Sequence, residues 1–237
     1  MNDSHHCLKH GSSLALNINS FSMKKLIFSA LINCCFLFAF AQDSSSRNNY
    51  FSCIIGRSFP VGDFASDDIN KLNAGMAKNG WNVEVKYAHQ FDELFGLSSA
   101  LVYAKFPVKN ISVNEGPVAS IKPLEYYEVL IGPMMTGSIG KKISIDLSVL
   151  TGTAYINMTK VNLNGATLAK KYPASAIPLN CSIDFRFQLG TMFYFSTGMN
   201  YNYMRANMNV TVQSQELSFK QSLNAASINS GFGINFK

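Results

Sequence analysis

The chain has 237 residues, 47% of them hydrophobic and only 14% charged, which suits one large β domain or two small ones. Outside one early segment it has no apolar run of about 18 residues, which excludes a membrane-spanning helix. Its formal net charge of +6 falls once the front end is removed, and is then too mild to imply a nucleic-acid partner.

The early segment is Met23 to Ala41. Lys24 and Lys25 form a positive n-region, Leu26 to Phe38 an apolar h-region, and Ala39-Phe40-Ala41 an A-x-A cleavage site. This reads as a secretory signal peptide cleaved before Gln42. Because a signal begins at the initiator methionine, translation is expected to start at Met23, which makes residues 1–22 a mis-assigned extension. His5, His6, Cys7 and His10 resemble a metal cluster only on paper, since they leave with that extension. Asn33 before Cys34 stands where a lipoprotein needs a small residue. Three of the 20 basic and one of the 14 acidic residues are lost with the front end, leaving a net charge of +4. Cys53 and Cys181 remain in an oxidising compartment. They are expected as small hydrophobes without a disulfide, because the first and sixth strands of a meander do not meet.

Residues 42–49 form a polar lead-in with too little apolar surface to fold, and the domain proper spans 50–237. Its first strand is expected at Tyr50 to Phe59, before Pro60-Val61-Gly62-Asp63 and a polar loop with one or two helical turns between Asp67 and Ala77. Strand two, Gly80 to Gln90, sets Trp81, Val83, Val85 and Tyr87 against Asn82, Glu84, Lys86 and Ala88. Strand three, Leu94 to Phe106, carries Leu97, Leu101 and Tyr103 outward and Gly96, Ser98, Ala100 and Ala104 inward, until Pro107 ends it. Strand four, Leu124 to Thr136, opposes Tyr127, Val129 and Ile131 to Tyr126 and Glu128, and Pro133 suggests a bulge. Strand five, Lys141 to Asn157, alternates Ile143, Ile145, Leu147 and Val149 with Lys142, Ser144, Asp146 and Ser148.

The clearest signal lies between Leu179 and Arg205. Cys181, Ile183, Phe185 and Phe187 share one face and Asn180, Ser182, Asp184, Arg186 and Gln188 the other. After a break at Gly190 and Thr191 the alternation resumes from Phe193 to Tyr203, a pattern that helical spacing cannot produce. Each limb is long enough to cross a bilayer as a tilted strand of about 9–11 residues. Ala206 to Ser222 is a fourth long connection that holds a small hairpin, and Leu223 to Phe236 is the last strand, with Ile228, Phe232, Ile234 and Phe236 outward.

Long and short connections thus alternate along the chain. In an antiparallel meander this puts all long loops at one end, with both termini at the other. Tyr87, Phe91, Phe95, Phe193, Phe195 and Phe236 gather near the short turns, and Trp81, Tyr103, Tyr127, Tyr155, Tyr201 and Tyr203 near the long loops, as two girdles. The expected architecture is all-β: a closed antiparallel up-and-down transmembrane β-barrel of about eight strands, monomeric. A soluble secreted β-sandwich or lipocalin-like carrier is the alternative.

Together with the segment IIGRSFPVGDF (Ile54 to Phe64) and the closing SGFGINFK (Ser230 to Lys237), these features resemble the small outer-membrane β-barrel families of Gram-negative bacteria, the OmpX-like, OmpW-like and PorT-like proteins. The resemblance implies Sec-dependent export to the outer membrane, contact with outer-membrane lipid and lipopolysaccharide, and recognition by the barrel-insertion machinery through Phe232, Ile234 and Phe236. Lys237, which follows the terminal aromatic, departs from that insertion pattern. The PorT-like members add a role in secretion or envelope assembly, with an envelope or secretion protein as partner.

Inward parity assigns Glu84, Lys86, Glu128, Lys142, Asp146, Asp184 and Arg186 to the lumen. An eight-stranded barrel is just wide enough for side chains to fill, and buried charges persist when paired, so the expectation is an ion-pair network that plugs the interior. A narrow pore for small solutes or ions is its rival. No catalytic, cofactor or metal site is expected. His89, the one histidine after cleavage, faces outward beside the Asp92-Glu93 turn. Asp63, Asp67 and Asp68 lack the ligand spacing of a calcium site. Lys105, Lys109, Lys160, Lys170 and Lys171 are candidates for lipopolysaccharide phosphates.

Overall fold

A computed structural model describes residues 49–68, 71, 74–109, 120–140, 142–157, 161–163, 166–171, 174–212 and 215–236. The expected extension, the signal peptide and residues 42–48 of the lead-in lie outside the described residues.

Eight long strands follow the alternation: β1 (Asn49–Val61), β2 (Gly80–Gln90), β3 (Phe95–Phe106), β4 (Leu124–Ile139), β5 (Ile143–Asn157), β6 (Leu179–Gln188), β7 (Phe193–Tyr203) and β8 (Asn224–Phe236). Each pairs antiparallel with its neighbours in sequence. The ring closes where β8 pairs with β1, from Asn49 opposite Phe236 to Val61 opposite Asn224. Closure leaves no barrel edge with unpaired backbone groups.

Successive partners run Phe51, Tyr87, Ser99, Ile131, Thr151, Leu179, Tyr203. Tyr203 stands one step past the Asn202 to Ala225 pair, level with Asn224, which returns the path to Val61. The circuit therefore comes back ten residues further along β1, between Phe51 and Val61. With strands about 4.8 Å apart and a rise of about 3.3 Å per residue, that shear tilts them by roughly 41° and closes a ring of roughly 8 Å radius. A ring that narrow is filled by its own side chains.

The short connections, between Gln90 and Phe95, Ile139 and Ile143, and Gln188 and Phe193, fall at the end that carries Asn49 and Phe236. At the other end the long connections contain strand structure of their own. Arg205–Val212 pairs with Gln215–Ser222 as the expected hairpin, and Ala174–Ala176 pairs with β5 and reaches Ala206. In the first loop the described helical residues are a single 3-10 turn, Gly62–Phe64, with Lys71 and Ala74 each donating a backbone bond three residues back.

The first strand outruns its expected end at Phe59 because Pro60 sits where the ladder with β8 is finishing. Pro133 does not make the expected bulge. The pairing of β4 with β5 lapses at Gly132 and Pro133, then resumes at Met134 opposite Ser148 in the same register, and the pairing with β3 is continuous. A proline removes one donor, and two flanking ladders hold the strand without shifting it.

Parity decides exposure throughout. Ile55, Leu101, Val129, Ile131, Leu147, Val149 and Phe232 are exposed on the outer wall, while Lys86, Asp146 and Glu128 are buried inside. Cys53 and Cys181 are free thiols on the outer wall, as expected. The largest apolar cluster closes the lumen at the long-loop end and includes Phe64, Phe106, Tyr126, Ile156, Met204, Met208 and Leu223. Phe64 and Phe106 meet edge to face at 5.0 Å there.

Candidate functional site

The ion pairs of the described chain lie in the short-turn half of the lumen. Lys86 on β2 extends across to β6, where its Nζ donates to Asp184 Oδ2 at 2.7 Å. Weaker bonds to Ser148 and Ser182 hold the remaining ammonium protons. In a ring of eight, β2 and β6 are opposite, so this pair spans the barrel.

Arg186 on β6 forks onto Asp146 of β5, with Nε donating to Oδ2 at 2.6 Å and Nη2 to Oδ1 at 3.0 Å. Asp146 also accepts from the Tyr50 hydroxyl of β1 and the Thr136 hydroxyl of β4, each at 2.8 Å. Four donors thus converge on one buried carboxylate and satisfy it by hydrogen bonds. The Arg186 guanidinium lies 4.1 Å from the Tyr50 ring centre and 5.6 Å from that of Tyr194. Tyr50 and Asp146 form a second brace between opposite strands, β1 and β5.

Asp146 and Asp184 are direct cross-strand partners. Like charges so placed repel, and each is answered by its own cation. Gly198 stands opposite Asp184, where a Cβ would collide with the aspartate oxygen and the Ile183 carbonyl. The fifth expected lumen charge, Glu128 on β4, accepts from Asn202 Nδ2 of β7 at 2.6 Å. Its Oε2 and the Asn202 Oδ1 are buried without a hydrogen-bond partner. Glu84 is buried at the level of Glu128, both beside Val102, and takes no direct part in either ion pair.

Six of the seven expected lumen residues are thus brought together: Glu84, Lys86, Glu128, Asp146, Asp184 and Arg186. Lys142 is not among them. It is exposed in the turn before β5, which begins only at Ile143, so the parity of the strand does not extend to it. The uncharged partners Tyr50, Thr136, Ser148, Ser182, Tyr194 and Asn202 escape sequence reasoning, because parity places them inward without saying whom they meet.

Between Tyr50, Ser52, Lys86, Asp146, Asp184 and Arg186 no space remains for a water molecule. Toward the short turns the lumen widens into a polar funnel of about 730 Å³, lined by Gln90, Thr136, Ser138, Arg186, Gln188 and Asn235. The interior is therefore narrowed by ion pairs above the short turns and filled by apolar side chains at the long-loop end.

Phe232, Ile234 and Phe236 face outward on β8, and Phe232 packs edge to face on Phe195. His89 is outward at the short-turn rim, its Nδ1 2.6 Å from Asn49 Oδ1. Among the described residues no three of His, Cys, Asp and Glu converge as metal ligands. In the loops, Asp67 is tied to Lys109 at 2.5 Å. The hydrogen bond and charge of Lys109 hold its carboxyl below the usual carboxylate range. Lys105 pairs with Glu125 at 2.9 Å. Two of the lysines expected to meet lipopolysaccharide therefore already have acidic partners. Lys170 and Lys171 lie in the short strand Ala166–Lys171, and Lys160 is outside the described residues.

No family model matches the chain, and no curated protein matches it. Among solved structures, it is similar to the outer membrane protein OprG from Pseudomonas aeruginosa, with TM-score 0.54 and 10% identity over 82% of this chain and 98% of that one. Neisserial surface protein A gives TM-score 0.47 at 10% identity, over 82% of this chain and 100% of that one. The attachment invasion locus protein Ail of Yersinia pestis gives 0.45 at 18% identity, over 79% and 99%. The likeness to OprG is one of fold, and with the closed ring above it makes this chain an eight-stranded antiparallel β-barrel of the outer-membrane type.

Proposed function

We propose that this is a non-enzymatic integral outer-membrane protein, inserted as a monomer with its long loops outside, acting as a structural, adhesive or envelope-assembly element and not as a channel. The inverted exposure supports the membrane reading. Ile55, Leu101, Val129 and Phe232 are each more than half exposed on the outer wall, whereas a lipocalin-like carrier keeps its apolar side chains inward. A band of this size is untenable in water. Export by the signal peptide, insertion directed by the β8 pattern, and contact with lipopolysaccharide belong to the same reading. The resemblance to PorT-like proteins supports a partner in secretion or envelope assembly.

The observation that carries the non-channel reading is the pair of braces across the lumen, Lys86 to Asp184 and Tyr50 to Asp146, with no room for water between them. Aqueous channels come with about 16–18 strands, and barrels of about eight are filled. Single-channel recording of the refolded mature protein in planar bilayers tests this, beside a variant with Asp184→Ser and Arg186→Ser. The unmodified protein is expected to be silent and the variant to leak. Steady ion-selective conductance in the unmodified protein would establish a narrow pore instead.

A further inference from the structure

On the eight barrel strands, only three side chains of Lys, Arg, Asp or Glu face outward: Arg57, Lys105 and Glu125. Lys105 and Glu125 neutralise each other at 2.9 Å. Arg57 is exposed, and its direct cross-strand partners and same-face neighbours along β1 are apolar or aromatic. Across the strands its partners are Trp81 on β2 and Ile228 on β8. Along β1 it stands between Ile55 and Phe59, both exposed.

The position of Arg57 on the wall says what would answer its charge. Strands tilted by roughly 41° climb about 2.5 Å per residue along the barrel axis. Arg57 is eight residues beyond Asn49, and so stands roughly 20 Å above the short-turn rim of an apolar band about 25 Å tall. An arginine there reaches the headgroup layer by extending its side chain upward. Trp81 beside it and Tyr103 and Tyr127 on the next strands make the girdle at that height, ring against ring at 5.3 and 5.0 Å. The guanidinium fork matches the oxygens of a phosphate and binds them bidentately, and no carboxylate of the wall competes, because Glu125 is held by Lys105.

We infer that Arg57, flanked by Trp81, is a docking site for the phosphate of an outer-leaflet glycolipid of the lipid A type. The inference deepens the proposed membrane reading and depends on it. It also moves the expected lipopolysaccharide contact from the loop-base lysines Lys105 and Lys109, which have acidic partners, to an arginine on the wall below them.

The test uses the mature protein and its Arg57→Gln variant, refolded in maltoside micelles, which contain no phosphate. Thermal unfolding is followed while bisphosphoryl lipid A, its dephosphorylated counterpart, or inorganic phosphate is added. Bisphosphoryl lipid A is expected to raise the unfolding temperature of the unmodified protein, and Arg57→Gln to lose most of that rise. Without lipid the variant should unfold no earlier than the unmodified protein, because it has lost an unanswered charge. An equal rise in both proteins would overturn the site. So would an equal rise with dephosphorylated lipid, which would mean acyl and aromatic contact alone, or a rise with inorganic phosphate alone, which would mean an adventitious ion only. Flotation of both proteins with phosphatidylcholine vesicles tests the membrane reading separately, since failure to float would reject that reading whatever lipid A does.

Discussion

Replacing Arg186 with alanine isolates the energetic role of the lumen network. The guanidinium makes two charge-assisted bonds to Asp146 and lies over two tyrosine rings, and it is 8% exposed. Removing one partner of a buried pair costs about 3–5 kcal/mol, because the other charge is left uncompensated. Tyr50 and Thr136 still donate to Asp146 in the variant, which places the expected loss near the lower end, roughly 3 kcal/mol. Asp146→Ala strands Arg186 between the rings and should cost a similar amount. The double variant should lose less than the two single losses together, by about 1–3 kcal/mol, the coupling typical of residues in contact. Urea unfolding in lipid vesicles measures all three, reported by Trp81, the chain's single tryptophan, which faces outward on β2 and leaves lipid as the barrel opens. Strict additivity, or a loss below about 0.5 kcal/mol for Arg186→Ala, would refute the argument that this pair braces the barrel.

On the outer wall, Val149→Lys near mid-height of β5 should cost about 2–4 kcal/mol in the same vesicle assay, whereas Lys142→Ala, in the exposed turn, should stay within about 0.5 kcal/mol. Gly198→Ala pushes a methyl group into Asp184 and the Ile183 carbonyl. A loss of about 1–3 kcal/mol is expected, and unchanged stability would show that β6 and β7 yield more easily than their register implies. In the loops the folded carboxyl of Asp67 is held low by Lys109. The contribution of this contact is therefore present above the ordinary carboxylate range and is lost as pH falls through the depressed value. An NMR titration should find the Asp67 carboxyl below that range and return it there in Lys109→Gln.

Barrel architecture was legible in the chain because a two-residue period is local. Phe185 and Arg186 declare opposite faces by adjacency alone, and the alternation of long and short connections then orders the strands. The same parity identified six buried charges from residues up to about a hundred positions apart. It failed at Lys142, where a periodic rule was carried one residue past the ladder that enforces it. It also misjudged Pro133, since the flanking ladders that hold a strand in register are not visible in that strand's own residues. What only the tertiary structure decided is who meets whom across the lumen. Lys86 chooses Asp184 and not its near neighbour Glu84, and Asp146 collects Arg186, Tyr50 and Thr136, because the ten-residue shear of the closed ring sets the relative heights of opposite strands. That shear is a property of eight registers taken together, so no single stretch of sequence contains it. The isolation of Arg57 on the outer wall arises in the same way: its charge is plain in the sequence, but the absence of an acidic neighbour among the described residues of the wall depends on Trp81 and Ile228 being the residues that closure sets beside it.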